Sequence, residues 1–347
     1  MKIMHLLKSS HFSGAENVAT QIISIICSYD ESFEMIYCST KGSVKDALES
    51  RNIRFFPLDH FSVSTVKKAI KQIKPDIIHA HDMHASFVAA LCCGKIPLIS
   101  HIHNNAYNSR SISVKSISFF LAARKAKHIF WVSKSSFEGY FFHSFFKKKS
   151  SILYNIVDVE SLNRCSVMDH NEYNYDLVFI GRLTYPKNPE RLLTICSKLA
   201  QIVADIKVAI IGKGELETVL LNKIIELKLE NNIDFLGYRQ NPYKILRDSK
   251  IMVMTSRWEG TPMVALEAMA LGIPIISTPV DGLKDIVTNG ENGFLLDSDD
   301  EIAKHIFELL CNQEKLKEMS NNQIKKAIRW NDKEKYASEI LKVYRDL

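Results

Sequence analysis

Glu259 and Glu267 stand in a stretch that gives each acid a definite place. The apolar run 251–254 reads as a buried strand, and Ser256, Arg257 and Trp258 lead from it to Glu259 and Gly260. Thr261 suits the N-cap of a helix and Pro262 its first position, while Gly272 and Pro274 end it. Glu259 is thereby expected on the loop after a strand, and Glu267 on the second turn of the helix that follows. The start of that helix, at Thr261, Pro262, Met263 and Val264, offers unpaired backbone N–H groups and a partial positive charge, which suits a phosphate. A carboxylate there would repel phosphate, so its use is to accept hydrogen bonds from sugar hydroxyls. The neighbours Val264, Ala265, Leu266, Ala268, Met269 and Leu271 are apolar, so the helix is buried nearly all round, and an acid on such a helix needs a partner.

A second cluster follows the run 176–180. Gly181 ends the strand, Arg182 sits in the loop, and Lys187 comes just before a helix. Two cations on one strand-to-helix loop fit a diphosphate, each charge-assisted hydrogen bond contributing roughly 1.5–3 kcal/mol. Gly212 and Gly214 flank Lys213 after the next strand. That spacing lets backbone approach a nucleotide, and a tight turn before a helix explains it equally well. In the first half, Gly14 opens a helix and can turn its N–H to a phosphate; an ordinary strand–helix turn accounts for it as well. His79, His81 and His84 cluster with Asp82 at one strand end, and His101 and His103 at the next. No cysteine joins them and the strands are about to end, so no metal site is expected. A single histidine at the sheet edge is expected instead, as base or hydroxyl donor, and His103 lies furthest past its strand. Asp297, Asp299 and Asp300 carry a D-x-D spacing, but they precede the helical run 302–310, where acids cap a helix N-terminus. The aromatic and lysine residues from Tyr140 to Lys149 suit an anionic bilayer face, or equally a core-packing helix end with solvated lysines.

The elements that hold these residues appear as an alternation of short β-branched runs and amphipathic stretches. Strands are predicted at 2–7, 33–38, 53–56, 76–80, 98–101, 128–132 and 151–154. Helical periodicity fills the intervals, most clearly at 15–27, where Val18, Ile22, Ile25 and Ile26 share a face. A polar stretch at 163–172 has little reason to pack. Strands resume at 176–180, 207–211, 233–236, 251–254, 273–277 and 294–296. Alternating βα units imply parallel sheets with helices on both faces. The expected class is therefore α/β, with two doubly wound, Rossmann-like domains facing across a cleft. Their predicted bounds are 1–165 and 166–330, with a charged helix at 331–347 crossing back to the first. Ligands in such sheets bind at the carboxyl ends of strands, where the residues above fall.

Composition agrees. The chain has 347 residues, 46% apolar and 24% charged, which suits two soluble domains and excludes a disordered or collagen-like chain. No run approaches the ~18 apolar residues of a membrane span. The first strand leads straight into Lys8, Ser9 and Ser10, so a cytosolic chain is expected. The seven cysteines are scattered and read as free thiols. Residues 1–165 carry 21 Lys and Arg against 12 Asp and Glu, whereas 166–347 carry 24 against 27. The basic half points to an anionic partner or surface. Nucleic acid is not expected, because the cations are dispersed and no binding motif accompanies them.

In order along the chain, several segments resemble glycosyltransferase family 4, of the GT-B fold, over essentially the whole length. They are Gly14-Ala15-Glu16, Pro75-Asp76-Ile77-Ile78-His79-Ala80-His81, Ser100-His101-Ile102-His103, Tyr154-Asn155-Ile156-Val157-Asp158, Gly181-Arg182 with Lys187, Gly212-Lys213-Gly214, and Glu259 with Glu267-Ala268-Met269-Ala270-Leu271-Gly272-Ile273-Pro274. The resemblance implies a retaining, metal-independent enzyme without a cofactor. It would move a hexose or N-acetylhexosamine from a nucleotide-diphosphate sugar, expected to be a UDP-sugar, to a glycan acceptor. Arg182 and Lys187 would grip the diphosphate, Glu267 the ribose and Glu259 the transferred sugar. Gly14 would approach the phosphate from the first domain, and His103 would reach the sugar or acceptor. Gly181, Gly212, Gly214, Thr261, Pro262, Met263 and Val264 complete the expected donor site. Ser13 departs from the family pattern, standing where a second glycine is common.

Fixed cations and a helix start can stabilise a departing diphosphate. Front-side attack is the expected mechanism, the departing phosphate oxygen taking the acceptor proton. The basic first half suggests a lipid-linked acceptor at the inner face of the plasma membrane, in assembly of bacterial capsule, O-antigen or exopolysaccharide. Two other classes fit the same plan: a sugar-nucleotide epimerase or hydrolase, and a non-catalytic partner of a transferase.

Overall fold

The computed structural model describes residues 1–104, 107–280 and 282–347. The predicted runs form strands: β1 Lys2–Leu6, β2 Glu34–Thr40, β3 Phe55–Leu58, β4 Ile77–His81, β5 Leu98–Ile102, β6 His128–Trp131 and β7 Ser150–Ile152 in the first series. The second series comprises β8 Tyr175–Ile180, β9 Val208–Ile211, β10 Ile233–Gly237, β11 Ser249–Met254, β12 Ile275–Ser277 and β13 Gly293–Leu295. Central strands such as β4 and β9 are buried along their whole length, as β-branched runs covered on both faces must be.

The chain divides into two compact units, Met1–Asn155 with Asp332–Leu347, and Ile156–Asn331. In the first the strand order is β3-β2-β1-β4-β5-β6-β7, and in the second β10-β9-β8-β11-β12-β13. All pairings are parallel. Each sheet is thus doubly wound, its chain reversing direction at β1/β4 in one and β8/β11 in the other.

The boundary falls earlier than predicted, between Asn155 and Ile156 rather than after residue 165. The polar stretch is no linker. It lies partly in the Val159–Met168 helix, capped by the Asp158 carboxylate, with Leu162 and Ser166 buried. Cys165 O accepts from Asn241 Nδ2 at 2.8 Å, and Ser166 Oγ from Arg247 at 3.1 Å, so its polar groups find partners within the second unit. The last helix, Lys333–Arg345, belongs to the first unit. It buries Tyr336, Ile340 and Tyr344 and pairs Arg345 with Asp30 at 2.7 Å.

One cap is also displaced. The helix after Glu259 spans Met263–Ala270, and its N-cap is Pro262, not Thr261. Pro262 keeps an extended ψ of 120°, so helical geometry starts one residue later than the sequence pattern indicated. Gly272, at φ +74°, ends that helix in the left-handed region, where a side chain would also press on Ser320 and Ile324.

Candidate active site

In the second unit the loops after β8 and β11 converge. The Thr184 carbonyl accepts from the Lys187 and Asn188 amides, and Asn188, at φ +50°, turns the chain into the Pro189–Ala200 helix. This folds the Lys187 side chain back beside Gly181, its Cδ 3.8 Å from where a Cβ on that glycine would stand. Lys187 Nζ then donates to Glu259 Oε1 at 2.5 Å, and Ser256 Oγ donates to the same oxygen at 2.6 Å. The side chains of this ion pair are only 17% and 10% exposed, so each charge needs the other. Thr255 Oγ1 donates to the Asn188 carbonyl at 2.9 Å and Thr278 Oγ1 to the Ser256 carbonyl at 2.7 Å, tying the loops together.

Arg257 belongs to the same cluster and was passed over as a link between strand and acid. Its amide donates to the Pro186 carbonyl, its guanidinium to Asn188 Oδ1 at 3.0 Å, and the guanidinium carbon lies 4.3 Å from the centre of the Tyr185 ring. Arg182 is exposed, and its guanidinium has no ion-pair partner among the described residues. The structure therefore joins Lys187, Gly181 and Glu259 but leaves the Arg182 side chain unattached.

Among the described residues no side chain caps the Met263–Ala270 helix, and its first amide bonds run from Ala265 and Leu266 to the Pro262 carbonyl. The N–H groups of Met263 and Val264 thus remain available to an anion. Thr261 is buried just before them. Glu267 lies on this helix with Tyr243 Oη 3.4 Å from Oε1, and burial pushes its carboxyl up to about 7. At neutral pH it is poised between acid and carboxylate.

Gly212 and Gly214 have a packing reason. A Cβ on Gly212, at φ +153°, would lie 1.9 Å from the Gly181 carbonyl oxygen, and one on Gly214 would lie 2.2 Å from that of Leu183. These glycines let the ends of β8 and β9 touch, which accounts for the G-x-G without a ligand. The D-x-D acids are engaged as helix-start residues: Ser298 caps the Asp299–Leu310 helix, Arg191 pairs with Asp299 and Lys198 with Asp300, both at 2.6 Å.

The rim of the first unit differs in kind. Gly14 opens the Gly14–Tyr29 helix, and Ser13 Oγ donates to the buried Glu16 carboxyl side chain rather than receiving a helix N–H. Burial raises the Glu16 carboxyl, and nearby Asp82 adds to the effect. Asp82 sits at φ +68°, and its Oδ1 accepts from the His103 amide and from Asn104 Nδ2, both at 3.0 Å.

Parallel register assembles the histidines. His5 on β1 pairs with His79 on β4, and His81 pairs with His101 on β5. All four are buried, and with His103 they form a ladder of rings with neighbouring centroids 4.3–5.5 Å apart. His5 Nδ1 lies 3.0 Å from His81 Nε2, His81 Nδ1 lies 2.8 Å from His103 Nε2, and His79 Nδ1 meets Tyr344 Oη at 2.7 Å. Burial lowers the pKa of every ring, to about 3 for His5 and His103, so all stay neutral at physiological pH. His103 lies just past β5, as the sequence reading placed it, and His81 holds one of its nitrogens. His84 stands apart against Phe61. His5 was missed as part of an apolar strand; its signal was the pairing of β1 with β4. Two triads, His5/His79/His81 and His81/His101/His103, bring ring nitrogens within 4.8 Å of one another, a closeness the sequence did not lead us to expect.

Two family models match the chain: glycosyl transferases group 1 over residues 167–326, and glycosyltransferase family 4 over residues 31–161. An uncharacterised glycosyltransferase of Methanocaldococcus jannaschii is 30% identical over 236 residues, which is 61% of this chain but only 58% of that protein. The UDP-Gal:alpha-D-GlcNAc-diphosphoundecaprenol alpha-1,3-galactosyltransferase of Escherichia coli is 26% identical over 331 residues, 86% of this chain and 85% of that one. Among solved structures, Anabaena HepE in complex with UDP-glucose superposes with a TM-score of 0.87 at 21% identity, covering 100% of both chains. The likeness in fold spans both units.

Proposed function

The chain belongs to the family-4 glycosyltransferases with the GT-B fold, and from that premise we propose that it moves a hexose or N-acetylhexosamine from a UDP-sugar to a lipid-linked glycan, with retention and without a metal. The observation that carries this reading is the Lys187–Glu259 pair beside an uncapped helix start. Lys187 uses one N–H on Glu259 and keeps two for a diphosphate oxygen. The Arg182 guanidinium and the amides of Met263 and Val264 supply further donors, so the negative charge that grows as the C1–O bond breaks meets fixed positive groups. Glu259, fixed by Lys187 and Ser256, accepts from hydroxyls of the transferred sugar. Glu267 does the same for the ribose once ionised. Within the first unit the reading offers the Gly14 amide and His103 as candidate hydrogen-bonding groups.

In the proposed step the acceptor hydroxyl attacks C1 from the face the diphosphate leaves. Its oxygen forms the new bond to C1, the C1–O(phosphate) bond breaks, and the departing phosphate oxygen takes the hydroxyl proton. The configuration at C1 is kept.

A lipid-linked acceptor is supported by the substrate for which the E. coli relative is named, a sugar on diphosphoundecaprenol. It is also supported by the Val114–Lys125 helix, which buries Phe119, Ala122 and Ala123 yet exposes Val114, Ile117 and Leu121 in a stripe. Phe141 and Phe145 are exposed as well, and Lys147, Lys148 and Lys149 follow, so this surface suits an anionic bilayer. Among the described residues no helix is long and apolar enough to cross a membrane. The reading is of a cytoplasmic enzyme working peripherally at the inner membrane face in cell-surface polysaccharide assembly.

The test is incubation with a panel of nucleotide sugars and short lipid-diphosphate glycans in the presence of a chelator. The expected outcome is glycan elongation, with an α-linked product from an α-linked donor by proton NMR. Inverted product would remove the front-side mechanism. Sugar release without acceptor would move the chain to the hydrolase class, and loss of all turnover on chelation would overturn metal independence.

A further inference from the structure

His5, His81 and His103 are joined nitrogen to nitrogen at 3.0 and 2.8 Å, and how these rings meet decides what they do. The His81 and His103 centroids are 5.0 Å apart with planes 13° from parallel, and those of His5 and His81 are 5.3 Å apart at 27°. In both pairs the centroid separation exceeds the N···N distance by about one ring radius, ~1.1 Å, at each end. The two nitrogens therefore lie nearly on the line joining the centroids, each lone pair facing the other ring, as in an N–H···N hydrogen bond. A tetrahedral metal at ~2.0 Å from two nitrogens would hold them about 3.3 Å apart, with both lone pairs turned off the line between the centroids. The junctions are hydrogen bonds, not shared coordination.

A neutral imidazole has one N–H and one lone pair, so a ring bonded at both nitrogens donates at one and accepts at the other. His81 is that ring, and the three must all point the same way. In one direction His5 Nδ1–H donates to His81 Nε2, His81 Nδ1–H donates to His103 Nε2, and His103 carries its proton on Nδ1. In the other direction the final N–H sits on His5 Nε2. Both terminal nitrogens are buried without a hydrogen-bond partner among the described residues. The two ends are not equivalent, however. His5 is 0% exposed on the central strand β1, where an unpaired N–H is a lasting cost, whereas His103 follows β5 and is half-buried as a residue, so its Nδ1, though covered, is the end of the chain of rings nearer to solvent.

We infer that His5 and His81 are positioning residues that lock His103 as the Nδ1–H tautomer, making it a hydrogen-bond donor to a sugar or acceptor oxygen and not a proton acceptor. The ligand oxygen rests on the function proposed above; the tautomer does not. His79 and His101 pack against this chain without bonding to it, and His79 is committed to Tyr344.

The test is two-bond 1H–15N correlation of histidine-labelled protein without substrate, with His103 assigned from a His103→Ala spectrum. The expected result is a protonated Nδ1 and a bare Nε2 at His103. His81→Leu and His5→Phe should relax His103 to a mixture of tautomers. In His81→Asn the amide NH2 can replace the Nδ1–H, so the locked form should return. Thermal unfolding of each variant checks that it is folded. With donor and acceptor, His81→Leu should lose roughly tenfold in kcat, about one hydrogen bond's worth, with the donor KM unchanged, and His81→Asn should recover it. A protonated Nε2 at His103, or a tautomer unmoved in both His81→Leu and His5→Phe, would overturn the inference. A locked tautomer together with full turnover in His103→Ala would instead remove His103 from the substrate site and leave the tautomer assignment standing.

Discussion

At the centre of each sheet two parallel strands lie side by side where the winding reverses, β1 beside β4 in the first unit and β8 beside β11 in the second. Backbone architecture is the same at these two places, yet the chemistry placed there is opposite. Beyond β8 and β11 stand Lys187 and Glu259 as a nearly buried ion pair, with Arg182 exposed and Arg257 stacked on Tyr185. On and beyond β1 and β4 stand neutral imidazoles, with the Glu16 and Asp82 carboxyls shifted upward by burial. A doubly wound sheet therefore fixes where a ligand binds but not the charge it must carry. At these two places, an ion pair and exposed cations mark the second unit, while neutral rings dominate the first.

Removing the ammonium should break this contrast most severely. Lys187→Ala is expected to lower turnover on the order of 100- to 1,000-fold, as loss of a donor to developing charge does. It should also cost about 3–5 kcal/mol in urea unfolding, because Glu259 is left charged and unpaired. Adding Glu259→Gln should restore most of that stability and none of the turnover. A stable Lys187→Ala single variant would show that the pair is not structurally coupled.

Acid should separate the two units. The ladder histidines have pKa values below their unfolded value of 6.5, to about 3 for His5 and His103. Their contribution to stability is complete above pH 6.5 and is lost as pH falls toward 3. Glu16 and Asp82, raised by burial, offset part of this loss. Glu267, raised from 4.5 to about 7, has the reverse sign: its contribution is complete below pH 4.5 and lost as pH rises through 7. Hydrogen exchange followed by mass spectrometry should show β1, β4 and β5 losing protection between pH 6.5 and 4.5 while the Met263–Ala270 helix does not. Equal loss in both would contradict the assignment of charge.

Arg182→Ala sharpens the comparison within the second unit. Its exposed side chain should be dispensable for folding, with a change within about 0.5 kcal/mol, while kcat/KM falls roughly tenfold. Similar stability losses in Arg182→Ala and Lys187→Ala would blur the distinction between an open cation and a paired one. The smallest effect belongs to Glu267. Because ribose hydroxyls need the carboxylate, UDP affinity should rise a few-fold from pH 6 to pH 8, and Glu267→Gln should flatten that rise.

The strands were legible because parallel β-runs are apolar throughout, and so were the loops that carry Lys187 and Glu259. What was not legible depended on contacts between segments distant in sequence. The polar 163–172 stretch resembled a linker because the partners of Cys165 and Ser166, on Asn241 and Arg247, lie far along the chain. His5 looked like a lone polar residue in an apolar strand until register set it against His79. The ring partner of His103 was hidden for the same reason: His81 is on the neighbouring strand's end. The Thr261 cap failed locally instead, since Pro262 retained an extended ψ and took the capping position itself.

The central claim is that the diphosphate is held in the second unit by the Lys187 ammonium. Calorimetric titration of UDP into Glu259→Gln and into the Lys187→Ala/Glu259→Gln double variant isolates that contact, because UDP carries no transferred sugar for Glu259 to hold and the two proteins differ only at residue 187. The account expects binding at least about tenfold weaker in the double variant, a loss of one charge-assisted hydrogen bond. Equal UDP affinity in the two proteins would contradict it.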